Sequence, residues 1–244
     1  MKQSCSCILW LRSAAFMLVM WLITPFYAVF AILTFPLPPI MRYRLISGWA
    51  LLMLWWLKVT CGITHRIVNA NNIPETPHII LSKHQSAWET LAFQKIFPPQ
   101  VWVLKRELLW IPFFGWGLAM TSPIAIDRSA GREALKQMVE QGKDRLRKGF
   151  WVVIFPEGTR TAPGAKGKYH IGGAWLATHT ETPVLPVAHN AGEFWPKNSF
   201  LKKPGVITVS IGKPITSKGF KPDELNQAVE SWIESEMPRL GSYE

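Results

Sequence analysis

Two stretches of this 244-residue chain carry side chains whose types and spacing suit proton transfer and anion binding. The first is LSKHQSAWET, in which His84 follows an apolar run and Glu89 lies five residues further on. Side chains on one continuous helix meet at spacings of three or four. A His84–Glu89 contact therefore needs His84 in a loop and Glu89 in the first turn of the next helix. Ser86 and Glu89 form an S-x-x-E capping box, which starts a helix at that point. From there the carboxylate can hold one imidazole nitrogen while the other removes a proton from a hydroxyl. The capping box also accounts for Glu89 without any catalysis, so the pair alone decides nothing.

The second stretch, WVVIFPEGTRT, delivers Pro156, Glu157, Gly158, Thr159 and Arg160 from an apolar strand into a turn. Gly158 permits a tight backbone path, Arg160 can bind a phosphate through paired hydrogen bonds, and Glu157 can accept a hydrogen bond from a polyol. A turn with a surface ion pair is the plain alternative. Two more cations follow apolar runs: Lys105, beside Arg106, and Arg128 in IAIDRSAG. Each singly is a solvated surface charge; as a set placed after strands they can form a phosphate pocket. In TPVLPVAHN, Pro186 falls within an apolar strand and is expected to shape a groove wall, with packing as the default.

The elements that must hold these residues begin near Ile67, where short apolar runs alternate with helix-like stretches in the manner of an α/β domain. Strands are expected at 78–81, 101–104, 150–155, 183–187 and 206–211. Helices are expected at 86–97, closed by Pro98 and Pro99, at 132–147, stopped by Gly149, and at 222–237. Ahead of this domain, residues 14–35 are apolar and long enough to cross the roughly 30 Å hydrocarbon core, with Pro25 interrupting them. A second run, 46–57, has only about half the usual spanning length. If both crossed, Arg42 and Arg44 would lie opposite the main domain, against the tendency of basic loops to stay cytoplasmic. Two helices embedded in one leaflet are expected instead, dividing the chain into docking helices at 1–65 and an α/β domain at 66–244. Trp10, Trp21, Trp49, Trp55 and Trp56 suit either an interfacial belt or core packing. A cleaved leader is the rival reading, but no small-x-small site follows the apolar stretch.

Composition points the same way. Hydrophobic residues make up 48% and charged residues 18%, with a mean hydropathy of +0.10, which excludes disorder and suggests contact with lipid. The net charge of +11 implies an anionic partner. Before Glu75 there is no acid, only Lys2, Arg12, Arg42, Arg44, Lys58 and Arg66, as suits a segment at an anionic membrane surface. The odd set Cys5, Cys7 and Cys61 fits a reducing compartment. The remaining histidines, His65, His78, His170, His179 and His189, lack metal-ligand spacing and suit structural or surface roles. Nucleic-acid binding lacks a recognisable module. GTRTAPGAKGK lacks the spacing of a nucleotide-binding loop, and no G-x-S-x-G elbow is present.

In order and content, the H-x4-acid motif, the Lys105–Arg106 region, FPEGTR and the V-x-P segment between Ser82 and Val187 resemble the glycerolipid acyltransferases. Within these, they are similar to the 1-acyl-sn-glycerol-3-phosphate (lysophosphatidate) acyltransferases, and the N-terminal apolar region resembles the membrane-docking helices of bacterial members. The resemblance implies an α/β fold with a mixed central sheet flanked by helices, behind a two-helix docking motif. It implies that His84 is the general base and Glu89 its orienting partner. Lys105, Arg128 and Arg160 would hold phosphate, Glu157 and Gly158 the glycerol portion, and Pro186 part of the acyl channel. The family more often carries Asp at the position of Glu89.

The implied reaction needs no metal and no cofactor. His84 deprotonates the sn-2 hydroxyl of 1-acyl-glycerol-3-phosphate, which attacks the thioester of acyl-CoA or acyl carrier protein and yields phosphatidic acid for phospholipid biosynthesis. A backbone amide near the His84 loop or the Glu157 turn would stabilise the oxyanion. The implied setting is the cytoplasmic face of a bacterial-type inner membrane. Two alternatives stay open: an acyltransferase for another lyso-lipid, such as lyso-ornithine lipid or a remodelled lysophospholipid, and a non-catalytic binder of anionic lipid, which would not need His84.

Overall fold

The computed structural model describes residues 2–242 and contains one seven-stranded mixed sheet flanked by helices. The strands are β1 (Ile63–Val68), β2 (Ile79–Ser82), β3 (Gln100–Lys105), β4 (Ile124–Ile126), β5 (Trp151–Ile154), β6 (Val184–His189) and β7 (Gly205–Ile211), in the spatial order β1-β7-β6-β2-β5-β3-β4. Every neighbouring pair is parallel except β6–β7. Strands β6, β2, β5, β3 and β4 therefore all end at one edge, the edge where α/β sheets gather ligands.

Alternation along β2 explains the two-layer packing. Ile80 joins one core with Trp151, Val153, Leu185 and Val187, roofed by α1 (Lys2–Leu33), α2 (Pro39–Cys61) and α3 (Trp88–Ile96). Ile79 and Leu81 face the opposite core, with Val152 and Ile154, beneath α5 (Arg132–Arg147), α6 (Gly172–Thr180) and α8 (Pro222–Glu236). Short strands buried on both faces read as continuous apolar runs, which is why the sequence displays them. Helix α4 (Phe114–Met120) lies against α1, and the single turn α7 (Ala191–Phe194) follows β6. Gly149, at φ 84, ends α5 in the left-handed conformation that glycine adopts without strain.

Phe16 of α1 and Met53, Leu57 and Cys61 of α2 are buried in the same core as Ile80, and β1 begins at Ile63, ahead of the expected start of the domain. Helix α2 buries Tyr43, Ile46, Ala50, Met53, Leu54, Leu57 and Cys61, a helical stripe turned onto the rest of the protein. Helix α1 differs: its Cys7–Leu33 portion, of mean hydropathy 2.2, is long and apolar enough to cross a membrane by length and composition. Trp10, Trp21, Leu22, Phe26, Leu33 and Phe35 stand exposed on or next to it. Of the five N-terminal tryptophans, Trp10, Trp21 and Trp55 are exposed, whereas Trp49 and Trp56 are half-buried, Trp56 donating to Ala15 O at 3.2 Å.

Candidate active site

Strand register assembles the site. Leu81 of β2 pairs with Ile154 of β5, so the third residues beyond them, His84 and Glu157, emerge side by side although 73 positions separate them. The two motifs then interlock. Glu157 Oε2 accepts the His84 N–H at 2.8 Å, and the Thr161 N–H donates to His84 O at 2.8 Å. The His84 main chain is thus gripped at both ends by the FPEGTRT turn. Gly158, at φ 67, closes that turn by donating its N–H to Phe155 O at 3.0 Å, a conformation that strains residues with a Cβ.

The His84 ring stacks on Phe155, with centroids 3.9 Å apart and planes 9° from parallel. Its Nδ1 lies 2.8 Å from Glu89 Oε1, and the side chains are 17% and 0% exposed. A carboxylate there only accepts, so Nδ1 carries the proton and Nε2 presents a lone pair. Glu89 Oε1 also accepts the Gln85 and Ser86 N–H groups at 2.9 and 2.8 Å. Helix capping and histidine orientation are therefore two tasks of one oxygen. Only half of the expected box forms, because Ser86 Oγ accepts from Trp88 N at 3.1 Å and α3 starts at Trp88 rather than at residue 86.

Burial alone would push the Glu89 carboxyl up; the hydrogen bonds from His84 and from the Ser86 N–H outweigh it and hold the group below the ordinary carboxylate value. His189 is buried, and burial pushes its imidazole below the ordinary value. Its Nε2–H donates to Lys83 O at 2.9 Å while Nδ1 accepts from Ala191 N at 3.3 Å, which makes it the neutral tautomer.

These residues open onto a cleft of about 1090 Å³ that runs from His84 and the Glu157–Arg160 turn past Lys105 and Arg132 to Thr24, Ala28 and Ala31 of α1 and Met138 of α5. The far part is apolar, the near part cationic. Arg160 is half-buried at the lip and makes no hydrogen bond or ion pair among the described residues. Lys105 is 54% exposed and pairs with Glu107 at 3.1 Å. Lys197 donates to Thr159 Oγ1 at 3.0 Å on the rim. The Arg128 side chain lies outside the described residues.

Of the residues expected to act, His84, Lys105, Glu157, Gly158 and Arg160 line one cleft, and Glu89 lies directly behind His84. Glu157 has a task within the fold that was not expected: Oε1 accepts from Lys83 Nζ at 2.7 Å and from Thr161 Oγ1 at 3.1 Å, Oε2 accepts the His84 N–H, and the side chain is buried. Pro186 is not part of the cleft wall. It is buried in β6 on the side of Gly212 and Trp232, accepting the Gly212 N–H at 2.9 Å, and the apolar part of the cleft comes from α1, α4 and α5 instead. The amides of His84, Gln85, Ser86 and Gly158 are all engaged, which removes them as oxyanion donors. Sequence reasoning missed Lys83 and Phe155, and it missed that His189 supports the loop; the adjacency of Lys83 to His84 after a buried strand was the one available signal.

A histidine oriented by a buried carboxylate, beside a cationic lip and above an apolar trough, is the working surface of an enzyme that transfers acyl groups to lipid alcohols. Residues 65–190 match the family model described as Acyltransferase, and the chain belongs to that family. It is 47% identical to the 1-acyl-sn-glycerol-3-phosphate acyltransferase of Pseudomonas aeruginosa over 87% of this chain and 86% of that protein. It is 29% identical to a yeast protein of the same name, from Saccharomyces cerevisiae, over 71% of this chain and 59% of that one. The fold matches the crystal structure of the 1-acyl-sn-glycerophosphate acyltransferase from Thermotoga maritima, at TM-score 0.77 and 24% identity, over 95% of both chains.

Proposed function

We infer that this protein is a 1-acyl-sn-glycerol-3-phosphate acyltransferase, which moves a fatty acyl group from a thioester to the free sn-2 hydroxyl and makes phosphatidic acid. Its relatives' names support that activity. The observation that carries the mechanism is His84 itself: Nδ1 is held by Glu89, the main chain is clamped by Glu157 and Thr161, and the ring borders the cleft. Nε2 takes the hydroxyl proton as the oxygen attacks the thioester carbonyl. The tetrahedral intermediate then expels the thiolate, which recovers the proton from the imidazolium to leave as free thiol. Glu89 stabilises that imidazolium. General-base assistance of this kind supplies about 10²–10⁴ in rate.

Arg160 and Lys105 bind the phosphate, with Arg128 in the same role, while the apolar trough receives an acyl chain. The donor is acyl-CoA or acyl carrier protein, and no cofactor takes part. The N-terminal helices hold the enzyme on the cytoplasmic leaflet of the inner membrane, a reading supported by the exposed aromatic surface of α1, and the sheet domain from Ile63 onward carries out the chemistry, with α1 closing the far end of the cleft. Purified protein supplied with a labelled acyl thioester and, separately, lysophosphatidate, lyso-ornithine lipid and other lysophospholipids tests the reading. Labelled phosphatidate is expected. Transfer only to another acceptor would reassign the substrate, and binding without transfer would leave a lipid-binding protein.

A further inference from the structure

Lys83 is buried to 1% exposure, directly before His84, and the mechanism above gives it no role. Its ammonium uses all three donors: Glu157 Oε1 at 2.7 Å, Glu234 Oε1 of α8 at 2.9 Å and Ala165 O at 3.2 Å. Each partner belongs to a different part of the frame. Glu157 is the carboxylate that grips the His84 N–H. Ala165 lies midway along the irregular segment between β5 and α6, which begins at the cleft lip with Arg160. Glu234 also accepts from Tyr169 Oη at 2.8 Å, near the end of that segment, and Glu230, one turn earlier on α8, pairs with Lys166 at 2.8 Å.

We propose that Lys83 is a positioning residue for acyl transfer, the cation whose contacts with Glu157, Ala165 and Glu234 keep the Glu157–Arg160 turn locked against the His84 loop. Glu157 is buried with a side-chain exposure of 0%, and an ionised carboxylate in that position needs a cation beside it. With Lys83 in place, Glu157 can spend Oε2 on the His84 amide, which fixes where the imidazole stands. Without it, a buried unpaired carboxylate forces the turn outward, and the ring and the Arg160 lip separate. Misplacement of a reacting group by about 1 Å costs on the order of 10² in rate. Lys83 thus acts through Glu157 and touches neither substrate nor reacting atoms. The proposal rests on the acyl-transfer reading, and wild-type turnover of lysophosphatidate, measured in parallel, tests that reading separately.

The test is a cycle of Lys83→Met, Glu157→Gln and the double variant in the full-length protein, with folding followed by circular dichroism. Lys83→Met leaves the buried Glu157 carboxylate without its cation, whereas in Glu157→Gln the Lys83 ammonium keeps Glu234. The double variant removes both the Glu157 and the Lys83 charge, Glu234 keeps the Tyr169 hydroxyl, and the glutamine oxygen can still accept the His84 N–H. Lys83→Met is expected to lose about 10²-fold, mainly in kcat rather than in KM for the thioester. The double variant is expected to recover at least tenfold over Lys83→Met and to lie within about threefold of Glu157→Gln, because Lys83 acts through the carboxylate that is no longer there. Should Lys83→Met fail to fold, the comparison of the double variant with Glu157→Gln decides alone. Wild-type kcat in Lys83→Met, a double variant no better than Lys83→Met, or one at least tenfold below Glu157→Gln, would overturn the proposal.

Discussion

The two walls of the cleft are built by opposite rules. Around His84, the polar groups are densely paired: Glu89 Oε1 accepts three donors, Glu157 binds both Lys83 and the His84 amide, and His189 is anchored through both ring nitrogens, with Glu89 Oε2 the one buried side-chain oxygen among them that has no partner. At the lip, Arg160 makes no hydrogen bond or ion pair among the described residues, and the exposed Lys105 pairs with the half-buried Glu107. Dense pairing of buried polar groups fixes geometry, because an unpaired one costs about 1–3 kcal/mol. Incomplete pairing at a surface keeps a cation free to meet an anion. The difference teaches that the proton-transfer machinery is preorganised within the fold, while phosphate recognition waits for the ligand.

Substitutions on the two walls should therefore fail differently. The largest effect is expected from His84→Ala, which removes the base: kcat falls by about 10²–10⁴, with folding and membrane attachment intact, as read by thiol release and by sedimentation with vesicles. Glu89→Gln comes next. The Gln85 and Ser86 amides keep the glutamine oxygen turned toward them and toward His84, so the cap and the tautomer survive while the charge opposing the imidazolium is lost. A charged hydrogen bond exceeds a neutral one by roughly 1–2 kcal/mol, which corresponds to about 5–30-fold in kcat. Undiminished turnover in Glu89→Gln would leave capping as its whole role.

On the lip, Arg160→Ala should raise KM for lysophosphatidate about tenfold with kcat little changed, and Lys105→Ala by less, since its ammonium is the more exposed. A loss confined to kcat would erase the contrast between the walls. The smallest effect concerns stability. His189 binds a proton less readily folded than unfolded, so protons favour the unfolded chain once the pH drops below the ordinary imidazole value of about 6.5. Stability should fall as the pH goes from about 6.5 toward 5, and His189→Gln should flatten that slope in thermal melts, at the cost of a few degrees at pH 7.

How far the sequence revealed all this depends on the range of the forces involved. Helix α5 spans residues 132–147 as its spacing indicates, because Leu135, Met138 and the Gly149 stop are local signals. Strand β1 went unseen: ITHRIV mixes polar and apolar residues, and its pairing with β7 is set by contacts some 140 positions away. The His84–Glu89 pair was legible because both residues share one short motif. The engagement of Glu157 was not, since its partners are chosen by the register of β2 against β5 rather than by its neighbours in the chain. Pro186 misled for the converse reason, as a proline in a strand marks where a ladder ends and says nothing about which face meets a ligand.

The most direct test of the account is chemical rescue of purified, folded His84→Ala by free imidazole, with transfer from a labelled thioester to lysophosphatidate as the readout. If the ring at position 84 serves only as a base, imidazole should restore phosphatidate formation in a concentration-dependent way, and the restored rate should rise with pH as imidazole loses its proton. Wild-type turnover in the variant without imidazole, or transfer that stays absent at saturating imidazole while both substrates still bind, would contradict it.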